Sequence, residues 1–426
     1  MGSISEKIGC SSWLRWCNAV GGSGGCGLAF GSAQSLNQKL LTAPSRLNPP
    51  RKTFMKKLFL HIGTEKTGTS SLQGFLKLNE RQLAKRGYWI PRCLVRPNHS
   101  LLAICCYDEF RHDDLCRYYD IHEENKWLVT REKIRSEMLS EIASCNSDNI
   151  IISSEHFQSR LCSASEKQRL KLLLYEVGCS EVKIILYLRD PASLANSHYF
   201  SDVAQGSVSR YPDLPNSHYF NNLCDHRQTI LDWSMVFGKE CLEVRLYDPY
   251  GTNSFSIVDD FLTIFPQLDH SSFKKERSSN VSVSALGIEI IRQINEIEPF
   301  WVDGLVNPRR KKLNHIIRKN YKGKKYGMPE WLVNAYDAAF ADSNEWVRQQ
   351  YFPKRDQLFV RKGIKESQVE ISVSEKEAQR VLRTLHQYHS LKLKKIIFVN
   401  YWRNILSWVK VNASKIRQNH SARLRQ

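Results

Sequence analysis

The 426-residue sequence predicts a three-layer, P-loop-like α/β fold, with a mostly parallel central sheet of about five strands and a helical C-terminal extension. Three observations predict it. Strand-like and helix-like segments alternate through the middle of the chain. The strands are apolar on both faces, as in a sheet covered on both sides. The first strand runs through a glycine-bearing turn directly into a helix, the arrangement that gathers backbone N–H groups at one point.

The globular part opens at Lys56. Leu58–Ile62 is a short apolar run, residues 63–68 form the turn, and Thr69–Leu83 carries Leu72, Phe75, Leu76 and Leu83 at helical spacing. Residues 90–145 are polar and aromatic, with helical character over Trp127–Ala143. Asn149–Ser153 is the second clear strand and ends at Ser154, Glu155 and His156. A helix over Glu166–Val177 leads to a third strand, Val182–Leu188, which stops at Arg189-Asp190-Pro191 because proline cannot continue a ladder. A helix over Ala192–Val203, a strand over Leu242–Leu246 and a helix over Ile257–Ile264 follow. From Val283 onward helices dominate, over Leu286–Ile297, Trp331–Phe340 and Glu375–His389. The chain thus divides into a disordered or targeting extension (1–54), an α/β domain (55–300) and a helical, basic extension (301–426). The pentapeptide Asn-Ser-His-Tyr-Phe occurs at Asn196–Phe200 and again at Asn216–Phe220. No longer period accompanies it, so it reads as a coincidence or a small local duplication.

Charge narrows the partners. Lys and Arg number 62 against 43 Asp and Glu, a net charge of +19, which favours nucleotides, acidic glycans, nucleic acid or a membrane surface. Part of the excess is local: residues 391–426 hold nine Lys or Arg and no acidic residue. Within it, Lys392–Lys410 interleaves basic residues with Ile396, Phe398, Tyr401, Trp402 and Trp408. That pattern suits a packing helix, a peripheral membrane contact or part of an anionic acceptor site. No interleaved aromatic and glycine motif supports nucleic-acid binding. The twelve cysteines show no CxxC pair and no zinc spacing, which points to reduced thiols in a cytoplasmic protein. The alternative is organelle targeting through residues 1–54, which carry six Lys or Arg against Glu6 alone. No apolar run reaches the roughly 18 residues a transmembrane helix needs.

Two motifs carry chemistry. In Gly63–Ser71 a loop joins strand to helix, so N–H groups and the helix dipole favour an anion there. Lys66 adds a full charge, and Thr67, Thr69, Ser70 and Ser71 add hydroxyls around Gly68. A Walker A loop would place lysine directly after the second glycine, where Thr69 stands. That mismatch disfavours a nucleotide kinase. The second motif is Arg189 at a strand end with Ser197 eight residues later on the next helix, a fork and a hydroxyl suited to a separate phosphate. By itself, Arg-Asp-Pro is equally a helix start capped by Asp190.

In HIGTEKTGTSSLQ (61–73) and YLRDPASLANSHY (187–199) the chain resembles the sulfotransferases that use 3′-phosphoadenosine-5′-phosphosulfate (PAPS), in their bacterial-type and carbohydrate style. The first segment is similar to the family's 5′-phosphosulfate loop and the second to its 3′-phosphate motif. The resemblance implies transfer of a sulfuryl group from PAPS to an acceptor hydroxyl, with a carbohydrate as the expected acceptor and PAP as the product, without a metal. It gives Lys66 the charge that meets the leaving phosphate oxygen. It gives the proton to Glu155, with His156 as the alternative. In extended backbone adjacent side chains point to opposite faces, so only one of the two is expected to face the acceptor unless the chain bends there. The Arg-Lys-Gly segment of cytosolic members is missing, and Arg277 is a substitute. The rival readings are a P-loop kinase and a non-catalytic protein that holds an acidic glycan.

Overall fold

The computed structural model describes residues 55–360 apart from 95–97, 249–254, 275–282, 303–304 and 324–325. Five strands form one sheet: β1 (Lys56–Gly63), β2 (Tyr88–Trp89), β3 (Asn149–Ser153), β4 (Cys179–Leu188) and β5 (Leu242–Leu246). Their order is β2-β3-β1-β4-β5 and every neighbouring pair is parallel. β1 is therefore central, with Leu60 opposite Ile152 of β3 on one side and Ile184 of β4 on the other.

Alternation within the strands builds the two outer layers. Leu58, Leu60 and Ile62 of β1, Ile150 and Ile152 of β3, and Ile184, Leu186 and Leu188 of β4 face one side. They meet Leu101 and Leu102 of α2 (Ser100–Cys105) and Trp127, Ile134 and Met138 of α4 (Glu124–Ser144), which lies beyond the short α3 (Asp114–Tyr118). Leu170 and Leu174 of α6 (Ala164–Glu176) and Trp233 of α9 (His226–Phe237) complete that layer. Phe59, Ile151, Ile185 and Tyr187 face the other side, against Leu72, Phe75 and Leu76 of α1 (Thr69–Lys85) and Phe261 of α10 (Ile257–Leu262). Each fully buried aliphatic or aromatic side chain contributes about 1.5–3 kcal/mol. β4, lacking exposure from Ile184 to Leu188, is thus a main source of the domain's stability.

The helical cap gathers around α7 (Pro191–Ala204), which leaves the end of β4. Asp190 accepts from Ser193 N at 2.9 Å and Pro191 takes the first helical position, so the capping role of Arg-Asp-Pro is present beside any other. One flank of α7, Tyr199 and Val203, packs on Ile288 and Ile291 of α11 (Ala285–Ile297) and Leu313 of α12 (Pro308–Asn320). The other, Leu194 and Ala195, packs on Phe220 of α8 (His218–Cys224) and Tyr336 of α13 (Glu330–Tyr351). The hairpin of Trp301–Val302 and Leu305–Val306 (β6 and β7) joins α11 to α12. The cysteines of the described residues are all free, with Cys105 and Cys106 buried. No helix of the described residues is long and apolar enough to cross a membrane. The expected helix over Glu375–His389 and the basic stretch Lys392–Lys410 lie outside the described residues, as does Arg277.

Candidate functional site

In a parallel sheet, ligands collect at the C-terminal strand edges where the strand order reverses. Here that place is the end of β1, between β3 and β4. The loop leaving β1 is shaped by its own atoms. Thr64 N donates to Tyr187 O at 2.9 Å, and Thr67 Oγ1 donates to Thr64 O at 2.6 Å. Thr67 therefore spends its hydroxyl proton within the loop. Gly68 caps α1 at φ +81 with no side-chain hydrogen bond. A Cβ there would lie 3.1 Å from Ile257 and 3.2 Å from Tyr247, so both the backbone angle and the neighbours require glycine. Thr69 is buried while Ser70 and Ser71 are exposed, and the first turn of α1 carries no acidic residue.

Two cations converge on this loop. Lys66 Nζ donates to Ser201 Oγ on α7 at 2.7 Å. Arg189, at the end of β4, donates from Nη1 to the Lys66 carbonyl. Its guanidinium lies 5.2 Å from the centre of the Tyr247 ring. His226 fixes the same turn: its Nε2 sits 2.8 Å from the Arg189 carbonyl, which can only accept, so Nε2 carries the proton. Burial lowers the pKa of His226 and keeps it neutral. Ser197 lies one helical turn before Ser201, so both share the α7 face turned to the loop. Lys66 and Arg189 thus meet directly, while Ser197 is related to them only through its spacing from Ser201.

The chain bends at Glu155 and His156, the condition under which the two side chains need not face opposite ways. Glu155 has helical angles, φ −65 and ψ −20, and His156 begins α5 (His156–Arg160). The chain has already bent, so adjacent side chains no longer diverge by half a turn. Glu155 Oε2 accepts from Gln73 Nε2 at 2.7 Å. His156 Nδ1 lies 3.9 Å from Glu65 Oε1.

Glu65 was missed by sequence reasoning, where it is only the residue between Thr64 and Lys66. Its other oxygen lies 3.2 Å from His198 Nε2. Burial alone would raise its pKa, but the hydrogen bond and charge of His198, with His156 and Arg160, outweigh that and hold it well below the usual carboxylate range. The available clue was His198 on the otherwise apolar face of α7, since a buried imidazole needs a partner. Tyr247 packs against both Gly68 and Arg189. Among the described residues no group of three or more His, Cys, Asp and Glu side chains is arranged to hold a metal ion.

No protein-family model matches the chain, and no curated protein does. Among solved structures, a sulfotransferase from Alicyclobacillus acidocaldarius aligns with 69% of this chain and 95% of its own, at 14% identity and a TM-score of 0.34.

Proposed function

We propose that this protein is a sulfotransferase that moves a sulfuryl group from PAPS to a hydroxyl of an acceptor, a carbohydrate by the resemblance of its loops. The observation that carries this reading is the meeting of Lys66 and Arg189, from the loop after β1 and the end of β4, at the switch point of a parallel sheet. Two full positive charges beside an uncapped, acid-free helix start fit a donor with several anionic groups. Lys66, Thr69, Ser70 and Ser71 would hold the 5′-phosphosulfate, and Arg189 with Ser197 the 3′-phosphate; Arg277 remains a further candidate. Bound PAPS supplies a sulfuryl group on a phosphate leaving group. The chain's own residues do the rest. Lys66 stands where negative charge grows as the leaving oxygen departs, and the Glu155–His156 corner receives the acceptor proton. A kinase is less well served, because buried Thr69 stands where its lysine is needed.

Thermal-shift measurements with PAP, ATP and GTP test the donor, followed by labelled PAPS with a panel of hydroxylated acceptors. PAP should stabilise the protein and the nucleoside triphosphates should not. Lys66→Ala should remove transfer while the protein stays folded. Stabilisation by ATP instead would favour the kinase, and PAP binding without transfer to any acceptor would favour the non-catalytic reading. Normal turnover by folded Lys66→Ala would defeat the mechanism.

A further inference from the structure

Glu65 is a buried carboxylate to which sulfuryl transfer, as set out above, gives no task. Its side chain is 11% exposed and its two oxygens face imidazoles on two different helices, His198 on α7 at 3.2 Å and His156 on α5 at 3.9 Å. Tyr219 of α8 shares a hydrogen bond with it, and Arg160 of α5, paired with Asp114 at 3.2 Å, adds positive charge. The remaining charged neighbours are Lys66 and Asp202; burial pushes Asp202 up to about 6 against the pull of His198 and Lys66. Held well below the usual carboxylate range, Glu65 is an anion at neutral pH.

Two geometric facts bear on its role. First, Glu65 and Lys66 grip one helix, at His198 and at Ser201, positions three apart and adjacent on a helical surface. Lys66 sits at φ +61, a left-handed conformation unfavourable for a non-glycine residue that persists where neighbours hold it. Second, with Nδ1 turned to Glu65, His156 presents Nε2 at the far edge of its ring. At 3.9 Å the carboxylate faces the ring as a charge contact and not as a hydrogen bond. Glu155, in contrast, already receives a hydrogen bond from Gln73.

We propose that Glu65 is a positioning residue of the transfer step, orienting His156 as the proton acceptor and locking Lys66 onto α7. One carboxylate then serves both ends of the reaction. The inference rests on the sulfotransferase reading. In the step, the acceptor oxygen bonds to sulfur and the sulfur–oxygen bond to the nucleotide phosphate breaks. Its electron pair leaves on the phosphate oxygen beside Lys66, and the acceptor proton passes to His156 Nε2.

The test follows histidine imidazole signals by NMR in the full chain at pH 7, with and without PAP. Wild type, Glu65→Gln and Glu65→Asp are compared, with His156→Gln providing the assignment. In Glu65→Gln the His156 ring signals should move from their wild-type positions, Glu65→Asp should restore much of the difference, and the signals of the exposed His218 should not move. Transfer from PAPS should fall about 10-fold or more in Glu65→Gln and recover in part in Glu65→Asp. Should wild type neither bind PAP nor turn over PAPS, the functional reading falls and this inference with it. Wild-type turnover with an unmoved His156 signal, or a moved signal with an unchanged rate, overturns this inference alone.

Discussion

Asn-Ser-His-Tyr-Phe is written twice in this chain, and the two copies do different work. At Asn196–Phe200 it runs through the middle of α7, where His198 is buried against Glu65 and Ser197 shares a face with Ser201. At Asn216–Phe220 it begins α8: Ser217 Oγ accepts from Phe220 N at 3.3 Å and His218 is exposed. The second copy also backs the first, since the Tyr219 and Phe220 rings stand edge-on to His198 at 5.5 and 5.6 Å. What separates them lies outside the five residues. Pro191 opens a helix upstream that carries the first copy through, whereas Pro215 directly precedes the second and the helix begins after it. Arg189 stands eight residues before Ser197, and Ser209 stands at the same distance before Ser217. A short motif takes its meaning from where the helix around it starts.

The largest expected contrast is between the histidines. His198→Ala removes a partner from a buried carboxylate and should cost about 3 kcal/mol of stability at neutral pH. His218→Ala should stay within about 0.5 kcal/mol of wild type. Denaturant unfolding of both variants measures this. The sign with pH follows from Glu65: a depressed carboxyl adds stability above its ordinary 4.5 and loses it as pH falls through its lower folded value. The penalty of His198→Ala should therefore shrink as pH drops below about 4.5. Equal costs for the two histidines at pH 7 would erase the distinction.

The arginine upstream of the first copy comes next. Arg189→Ala should weaken PAP binding by about 2 kcal/mol, as for a lost hydrogen bond to a charged group, whereas Ser209→Ala should leave calorimetric PAP affinity unchanged. The serines give the smallest effects, and they differ in kind. Ser197→Ala should cost about 1 kcal/mol of PAP binding with little change in stability. Ser217→Ala removes a helix cap and should cost about 1 kcal/mol of stability with PAP affinity intact. If Ser217 governs PAP binding and Ser197 does not, the copies have been assigned the wrong way round.

The same contrast explains how much of the molecule was legible. β3 and β5 match their expected bounds, Asn149–Ser153 and Leu242–Leu246, because compact apolar runs mark them. β4 starts earlier than expected, at Cys179, since the alternating Ser180 and Glu181 conceal a stretch that pairs with β1. β2 is only Tyr88–Trp89, too short to show any period. The start of α8 was hidden by reading the second pentapeptide as a repeat, not as a cap. In the site, Lys66 and Arg189 were visible because strand ends and glycine turns leave local marks. Glu65, Arg160 and Tyr219 left none, because their neighbourhood is made by α5, α7 and α8 folding onto one loop.

The sheet order also sets a timetable. β1 lies at the centre, yet its partners arrive late: β3 follows it by roughly ninety residues, and β4 later still. At a synthesis rate of about 5–20 residues per second, Leu58, Phe59, Leu60 and Ile62 wait roughly 5–20 s before the first neighbouring strand exists. Throughout that interval the loop from Gly63 to Ser71 is sequence without shape, because Tyr187 has yet to accept from Thr64 and Arg189 has yet to reach Lys66. Any anion held there can stabilise only the last stage of assembly, after β4 has been made and the sheet has closed.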